Sequence, residues 1–237
     1  MRALIEQLND VVSVPLLTGI DISERYHHDW SCEAPGTPIA VVRPATTAEV
    51  SAILQLCHEH EQPVVVQGGM SGLCGGANPR GEEVAISMER LSGVEEIDQA
   101  AMTMTVKAGT PLQVIQEAAA AAGFVFPLDL GARGSCNIGG NIATNAGGNQ
   151  VLRFGMTRNL VLGLEAVLAD GTVISSMNKM LKNNAAYDLK HLFIGSEGTL
   201  GIVTRAVLRL YPKARSRCSA LLALNDFPAV INLLHKA

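Results

Sequence analysis

VVVQGGMSGLCGGANP, residues 64–79, sets a run of valines directly before a stretch in which glycine fills five of nine positions. Its surroundings say what kind of fold it belongs to. TTAEVSAILQLCHEH (46–60) has the Thr46-x-x-Glu49 spacing of a capping box and places Val50, Ile53, Leu54 and Cys57 along one helix face. PIAVVRP (38–44) before that helix and PVVVQ (63–67) after it are short apolar runs of the buried-strand type. Strand, helix and strand make a β-α-β unit, and the glycine loop leaves the carboxyl end of its second strand, where open α/β sheets place ligands.

The remaining chain continues in short elements. EVAISM (83–88) and EEIDQAAMTMTVKAG (95–109) read as strands, with Met102, Met104 and Val106 alternating against Thr103, Thr105 and Lys107. GTPLQVIQEAAAAAG (109–123) reads as a helix capped by Thr110, with Pro111 in its first turn, Gln113 completing a capping box and Gly123 at its end. VLGLEAVLADGTVI (161–174) predicts a hairpin turning at Asp170-Gly171, and EGTLGIVTRAVLRLYP (197–212) another strand. After Pro212, SALLALNDFPAVINLLHKA (219–237) predicts a strand and a helix.

Composition narrows the partners. The chain has 237 residues, 48% of them hydrophobic and 17% charged, with a formal net charge of −4. Such a chain can bury a sizeable core, and scattered Lys and Arg on an acidic balance argue against nucleic acid. Small molecules are the expected partners. The five cysteines form no CxxC pair and no even framework, which argues against a zinc site or a disulfide scaffold. No apolar run approaches a membrane span, and the N-terminus lacks signal and transit features, so a cytoplasmic protein is expected.

Glycine loops expose main-chain N–H groups that can converge on an anion, and Gly68, Gly69, Gly72, Gly75 and Gly76 suit a phosphate or pyrophosphate; tight turns needing positive φ are the competing reading. Two more loops favour the ligand. PLDLGARGSCNIGGNIATNAGG (127–148) holds six glycines and three asparagines, and GSEGTLG (195–201) holds three more glycines around Glu197. Three such loops imply an extended ligand. No two glycines are separated by a single residue and no glycine precedes a lysine, so neither G-x-G-x-x-G nor a P-loop is present.

The four blocks PVVVQGG, PLDLGARGSCNIGGNIATNAGG, RFGMTRNLVLGLEAVLADGTVI and YDLKHLFIGSEGTLGIVT, in this order, resemble the FAD-binding domain of the vanillyl-alcohol-oxidase and p-cresol-methylhydroxylase (VAO/PCMH) type of FAD-linked oxidase. The wording of PLDLGARGSCNIGGN is most similar to D-2-hydroxyglutarate dehydrogenases, with glycolate oxidase and D-lactate dehydrogenase next. The resemblance covers roughly residues 39–215. It implies an α+β fold: a PCMH/VAO-type FAD-binding domain of two α/β subdomains, then the truncated start of a substrate (cap) domain. The corresponding division is an N-terminal docking segment at 1–38, the FAD-binding domain at 39–216 and the start of the C-terminal domain at 217–237.

The same resemblance implies site residues. Gly68, Gly69, Met70, Ser71, Gly72 and Leu73 would hold the FAD pyrophosphate through main-chain N–H groups. Pro127, Asp129, Gly131, Ser135, Cys136, Gly139, Gly140, Asn145, Gly147 and Gly148 would line the isoalloxazine and ribityl side. Glu197, Gly198 and Ile202 would lie by the adenosine half. Some relatives carry a His just after the paired glycines that links covalently to flavin; Met70 stands there, which implies non-covalent FAD. In KNNAAYDLKHLF, Asn183, Ala185 and Ala186 stand where close relatives show an acidic residue and then Asn-Thr-Gly.

Other residues read as ordinary. His58 and His60 lie two positions apart on a helix and so point about 200° apart, which prevents convergence on one metal ion. HHDW (27–30) has no acidic partner at metal spacing and reads as a docking segment. Arg133 and Arg153 flank the second loop and suit either a phosphate or solvent.

In the resembled family the substrate's carboxylate-binding Arg, the metal site and the catalytic His lie in the C-terminal domain, so no catalytic residue and no metal ligand is expected within 1–237, and the chain by itself is expected to be inactive. The implied activity is oxidation of a D-2-hydroxy acid (D-2-hydroxyglutarate, D-lactate or glycolate) to the 2-oxo acid by hydride transfer to FAD, with an electron-transfer flavoprotein or a quinone as acceptor. A non-catalytic flavin-binding module and a reductase of the UDP-N-acetylenolpyruvoylglucosamine type stay open beside it.

Overall fold

The computed structural model describes residues 2–216 and 218–236. Its first unit is built from α1 (Arg2–Asp10), β1 (Ala40–Val42), α2 (Thr47–Glu59), β2 (Val64–Gln67) and β3 (Val84–Ser87). The strands are parallel in the order β1-β3-β2, with Val84 opposite both Ala40 and Val64. Parallel sheets are covered on both faces, which is why these strands read as unbroken apolar runs. The central strand β3 is buried along its whole length.

Helix α2 starts where its cap places it. Thr46 accepts a hydrogen bond from the Glu49 N–H at 3.1 Å, while Glu49 Oε2 reaches back to the Ala45 N–H at 2.8 Å, one residue before the reciprocal partner of a standard capping box. Its Val50, Ile53, Leu54 and Cys57 face a core that also takes Leu4 and Leu8 from α1. The N-terminal segment is therefore part of the first core, and Leu17 bridges to Val41 at the edge strand β1.

The second unit comprises β4 (Val94–Asp98), β5 (Thr103–Lys107), α3 (Leu112–Ala121), β6 (Phe124–Val125), α4 (Ile138–Ala143), α5 (Val151–Phe154), α6 (Thr157–Leu160), β7 (Val161–Val167), β8 (Val173–Ser176), α7 (Lys190–Phe193), β9 (Ile202–Arg209) and β10 (Tyr211–Pro212). Helix α8 (Phe227–Lys236) follows. Strands β4-β5-β9-β7-β8 form an antiparallel sheet in that order, and β10 pairs with β6. Its core packs Met104, Val106, Leu112, Ile115, Ile138, Ile142, Leu164 and Leu208 together. The Asp170-Gly171 turn joins β7 and β8, with Gly171 at φ +85° and the Leu168 N–H donating to Thr172 O at 2.8 Å.

The two units are welded together. Val167 and Ile202 leave the antiparallel sheet to join the core around α2. Glu165, 8% exposed, accepts hydrogen bonds from Thr47 Oγ1 at 2.8 Å, Thr204 Oγ1 at 2.9 Å and Arg205 Nη1 at 3.4 Å. A buried carboxylate is tolerated because these donors satisfy it.

Three sequence expectations need correction. Thr110 does not cap α3: its hydroxyl donates to Lys107 O at 2.6 Å and accepts from the Gly93 N–H at 2.9 Å, Pro111 takes the cap position, and Gln113 bonds Glu117 instead. Met102 lies outside β5 in the turn after β4, at φ +52° and 38% exposed, while Thr103 and Thr105 are buried because β5 is covered on both faces. No strand forms among the described residues after Pro212, since an isolated segment finds no edge to pair with. The expected helix there is present, but none of its residues is buried.

Candidate cofactor site

The loop at 68–76 departs from the carboxyl end of β2. Met70 sits at φ +52°, a left-handed conformation that a non-glycine residue adopts at a cost. Gly69 through Cys74 form no hydrogen bond to any described residue. Main-chain N–H groups are obligatory donors, so six successive unpaired residues mark a surface whose partners come from outside the chain.

The second loop meets the first directly. A Cβ at Gly69 would collide with the Ser135 carbonyl oxygen, and a Cβ at Gly68 would lie 3.8 Å from Gly140 Cα. The second loop is anchored to the strand end of β5: the Gly139 N–H donates to Ala108 O at 2.7 Å, the Ile138 N–H to Thr110 O at 3.0 Å, and the Asn137 side-chain amide to Gly109 O. These bonds fix α4 with Gly140 facing open space, where a Cβ would meet nothing within 4 Å.

The third loop packs on α4. The Gly195 N–H donates to Ile142 O at 3.1 Å and the Glu197 N–H to Ala143 O at 2.9 Å. Arg158 holds the approach to this loop, donating to His191 O at 2.8 Å and to Ile194 O, while its own N–H is taken by Asn145 Oδ1 at 3.0 Å. Asn145 at φ +48° and Glu197 at φ +53° repeat the left-handed geometry of Met70, so each glycine-rich loop carries one such residue. Strained backbone of this kind clusters at ligand sites. A Cβ at Gly76 would lie 3.5 Å from Glu197 Oε2, which closes the circle of three loops.

Between the first and third loops lies a cavity of about 660 Å³ whose wall includes Val66, Cys74, Gly76, Glu197, Gly198 and Ile202. The expected adenosine residues Glu197, Gly198 and Ile202 thus share one cavity. The expected residues of the 68–73 and 127–148 stretches do not line it. Gly68 and Gly69 instead meet Ser135, Asn137 and Gly140 where the first two loops touch.

Not every expected residue has something to offer a ligand. Cys136 is 4% exposed, its thiol lies in the core with its pKa pushed up by burial, and its N–H and C=O are bound to Ala132 and Leu112. It drops out of the site. A side chain at Gly148 would strike the Asp129 carbonyl and one at Gly147 would press on Met156, so both glycines are needed by the loop's own packing. Pro127 is buried, Asp129 half-buried, and Gly131 and Ser135 exposed. Arg133 is exposed, and the Arg153 guanidinium lies over the Phe154 ring at 5.2 Å. His60 Nε2 donates to Gln7 Oε1 of α1 at 2.8 Å, and among the described residues no group of three metal-ligating side chains comes together. Ala186 is left-handed at φ +61°.

A family model described as FAD binding domain matches residues 38–176 of this chain. The chain belongs to that FAD-binding family. FAD is accordingly the cofactor that the domain indicates. Among curated proteins, the chain is 42% identical over 224 residues to mitochondrial D-2-hydroxyglutarate dehydrogenase of Bos taurus, covering 94% of this chain and 41% of the relative. It is 42% identical over 210 residues to D-2-hydroxyglutarate dehydrogenase of Xanthomonas citri pv. viticola, covering 89% of this chain and 44% of the relative. The chain thus spans well under half the length of the curated relatives it matches. Among solved structures, alkyldihydroxyacetonephosphate synthase superposes with a TM-score of 0.81 at 23% identity over 91% of this chain and 41% of that one, a likeness of fold.

The mitochondrial relative overturns the expectation of a cytoplasmic protein. Leaders are removed from mature proteins, so the composition of a folded domain carries no organelle address. No helix among the described residues is long and apolar enough to cross a membrane.

Sequence reasoning missed Gln67, Asp29 and Asn78. Gln67 is fully buried at the end of β2 and donates to Tyr26 O at 2.8 Å and Ala77 O at 3.1 Å. Asp29 lay in view within HHDW, but its partner Gly75 is 46 residues away, a separation no local pattern reveals.

Proposed function

We propose that this chain is the FAD-binding part of a flavin-dependent D-2-hydroxyacid dehydrogenase, acting on D-2-hydroxyglutarate or a close analogue such as D-lactate. The observation that carries it is the run of unpaired main-chain groups from Gly69 to Cys74 beside the 660 Å³ cavity, at a place where three glycine-rich loops meet. An anionic pyrophosphate fits such donors, and the cavity walled by Val66 and Ile202 fits an apolar-faced base. Similarity to two D-2-hydroxyglutarate dehydrogenases supports the substrate class.

In this reading Gly68, Gly69, Met70, Ser71, Gly72 and Leu73 hold the pyrophosphate, Glu197, Gly198 and Ile202 the adenosine half, and Gly139, Gly140 and Asn145, with Pro127, Asp129, Gly131, Ser135, Gly147 and Gly148 framing them, the flavin side. Attachment is non-covalent, because the thioether of Met70 offers no nucleophilic nitrogen to the flavin. FAD, when bound, supplies the hydride-accepting chemistry. The chain contributes main-chain donors, a cavity wall that includes Val66 and Ile202, and fixed spacing between the loops. We place the base and the clamp for the substrate carboxylate in sequence beyond the family match. Residues 1–38 then belong with the flavin domain through α1, and the stretch after residue 216 leads toward the substrate-binding part.

Anaerobic mixing of the flavin-loaded native gene product with D- or L-2-hydroxyglutarate tests the reading. Bleaching of the flavin absorbance by the D isomer alone is expected. Bound FAD that none of D-2-hydroxyglutarate, D-lactate or glycolate bleaches would instead favour a flavin-binding module without this activity.

A further inference from the structure

We infer that Asp29 is a positioning residue for the FAD pyrophosphate, acting through the glycine loop; this rests on the reading of residues 68–73 as the pyrophosphate site. Asp29 is 2% exposed and uses both carboxylate oxygens. Oδ1 accepts the Ser31 N–H at 2.9 Å and the Ser31 hydroxyl at 2.5 Å. Oδ2 accepts the Gly75 N–H at 3.0 Å and lies 3.0 Å from where a Cβ on Gly72 would stand. The carboxylate therefore bonds the loop at Gly75 and fills the space that a side chain at position 72 would take.

Asp29 is one member of a two-sided clamp. Its N–H donates to Asn78 Oδ1 at 2.6 Å, and Asn78 returns a hydrogen bond to Glu33 O. Gln67, at the other end of the loop, donates to Tyr26 O and Ala77 O. A Cβ at Gly36 would collide with Pro79 O, so the segment from Tyr26 to Gly36 lies flat against the exit of the loop. Between these fixed points, Gly69 to Cys74 make no bond of their own to any described residue. The loop is held only at its ends.

The consequence is specific. Hydrogen bonds to a charged acceptor are the stronger kind, and Asp29 spends one on Gly75, directly after the free stretch. The Gly75 bond fixes the point at which the free stretch ends, and with it the path open to the preceding N–H groups. A buried carboxylate near an anion site repels the anion; the Ser31 N–H, the Ser31 hydroxyl and the Gly75 N–H that it accepts offset part of that repulsion. Without the clamp the loop keeps its composition but loses its preset shape, and FAD must order it on binding.

The test compares Asp29→Ala, Asp29→Asn and Ser31→Ala with the unaltered chain. It reads FAD affinity from flavin fluorescence, the thermal midpoint of each apoprotein, and the ³¹P spectrum of bound FAD. Asp29→Asn preserves shape but turns an N–H₂ toward one of the donors. We expect both Asp29 variants to weaken FAD by about ten- to hundredfold, the loss of one hydrogen bond to a charged group. The ³¹P resonances of the pyrophosphate should shift in Asp29→Asn, and Ser31→Ala, which leaves the Gly75 bond in place, should bind as the unaltered chain does. A merely structural residue would lower the thermal midpoint without moving the ³¹P signals. The inference is overturned if Asp29→Asn folds and binds FAD with unchanged affinity and ³¹P spectrum, or if Ser31→Ala is as damaging as Asp29→Asn. Failure of the unaltered chain to bind FAD would instead overturn the cofactor reading itself.

Discussion

Glycines 69 and 140 both belong to the loops proposed to hold FAD, yet the missing side chain serves a different purpose at each. At Gly69 the space is taken by the Ser135 carbonyl, so a larger residue separates the two loops before any ligand arrives. At Gly140 the space is open. Gly140→Ala therefore separates binding from folding: alanine gains roughly 1 kcal/mol of helix propensity within α4, while its methyl group enters the region assigned to FAD. We expect an unchanged or raised thermal midpoint together with a clear loss of FAD affinity. Unaltered affinity would move the ligand off this surface.

Cys57 makes a second residue-scale case. Burial in the core around α2 raises its thiol pKa from 9.0 to about 11. The folded state thus favours the neutral thiol, and that contribution is fully present below pH 9.0 and is lost as pH rises through about 11. Urea unfolding across this window should show a falling midpoint, with a shallower fall in Cys57→Ala. Equal slopes in the two proteins would remove Cys57 as a source of alkaline sensitivity.

Among elements, legibility followed locality. Helix α2 could be read because its cap Thr46 and its apolar face lie within one stretch of 13 helical residues and their N-terminal neighbour. The start of α3 could not, because Thr110 spends its hydroxyl on Gly93, 17 residues back, and no local pattern announces that competition. Threonines in β5 look solvent-facing by alternation and are buried because tertiary packing covers both faces. The three loops were visible as glycine clusters, but their convergence depends on distant partners, above all Arg158 bridging to the carbonyls of His191 and Ile194. Arg158→Ala leaves both carbonyls without their donor and should destabilise the fold by about 1.5–3 kcal/mol, read from denaturant unfolding, and should weaken FAD because the segment leading into the third loop loosens. A variant with unaltered stability would show that α4 alone holds the third loop.

For the whole molecule, two sheets of opposite character share one seam. The parallel unit delivers the glycine loop from the end of β2, the antiparallel unit carries the other two loops, one anchored to the end of β5 and one running into β9, and Glu165 with Val167 and Ile202 locks the units at a fixed offset. That offset places the open Gly140 surface, the unpaired run from Gly69 to Cys74 and the 660 Å³ cavity in sequence along the seam. An extended dinucleotide without a Rossmann fingerprint is what such a seam suits. Fluorescence titration of the purified 237-residue chain with FAD, ending in acid precipitation, tests this most directly. One FAD per chain, released entirely into the supernatant, is the result the seam predicts; a folded chain that takes up no FAD, or a flavin that stays with the precipitate, would contradict it.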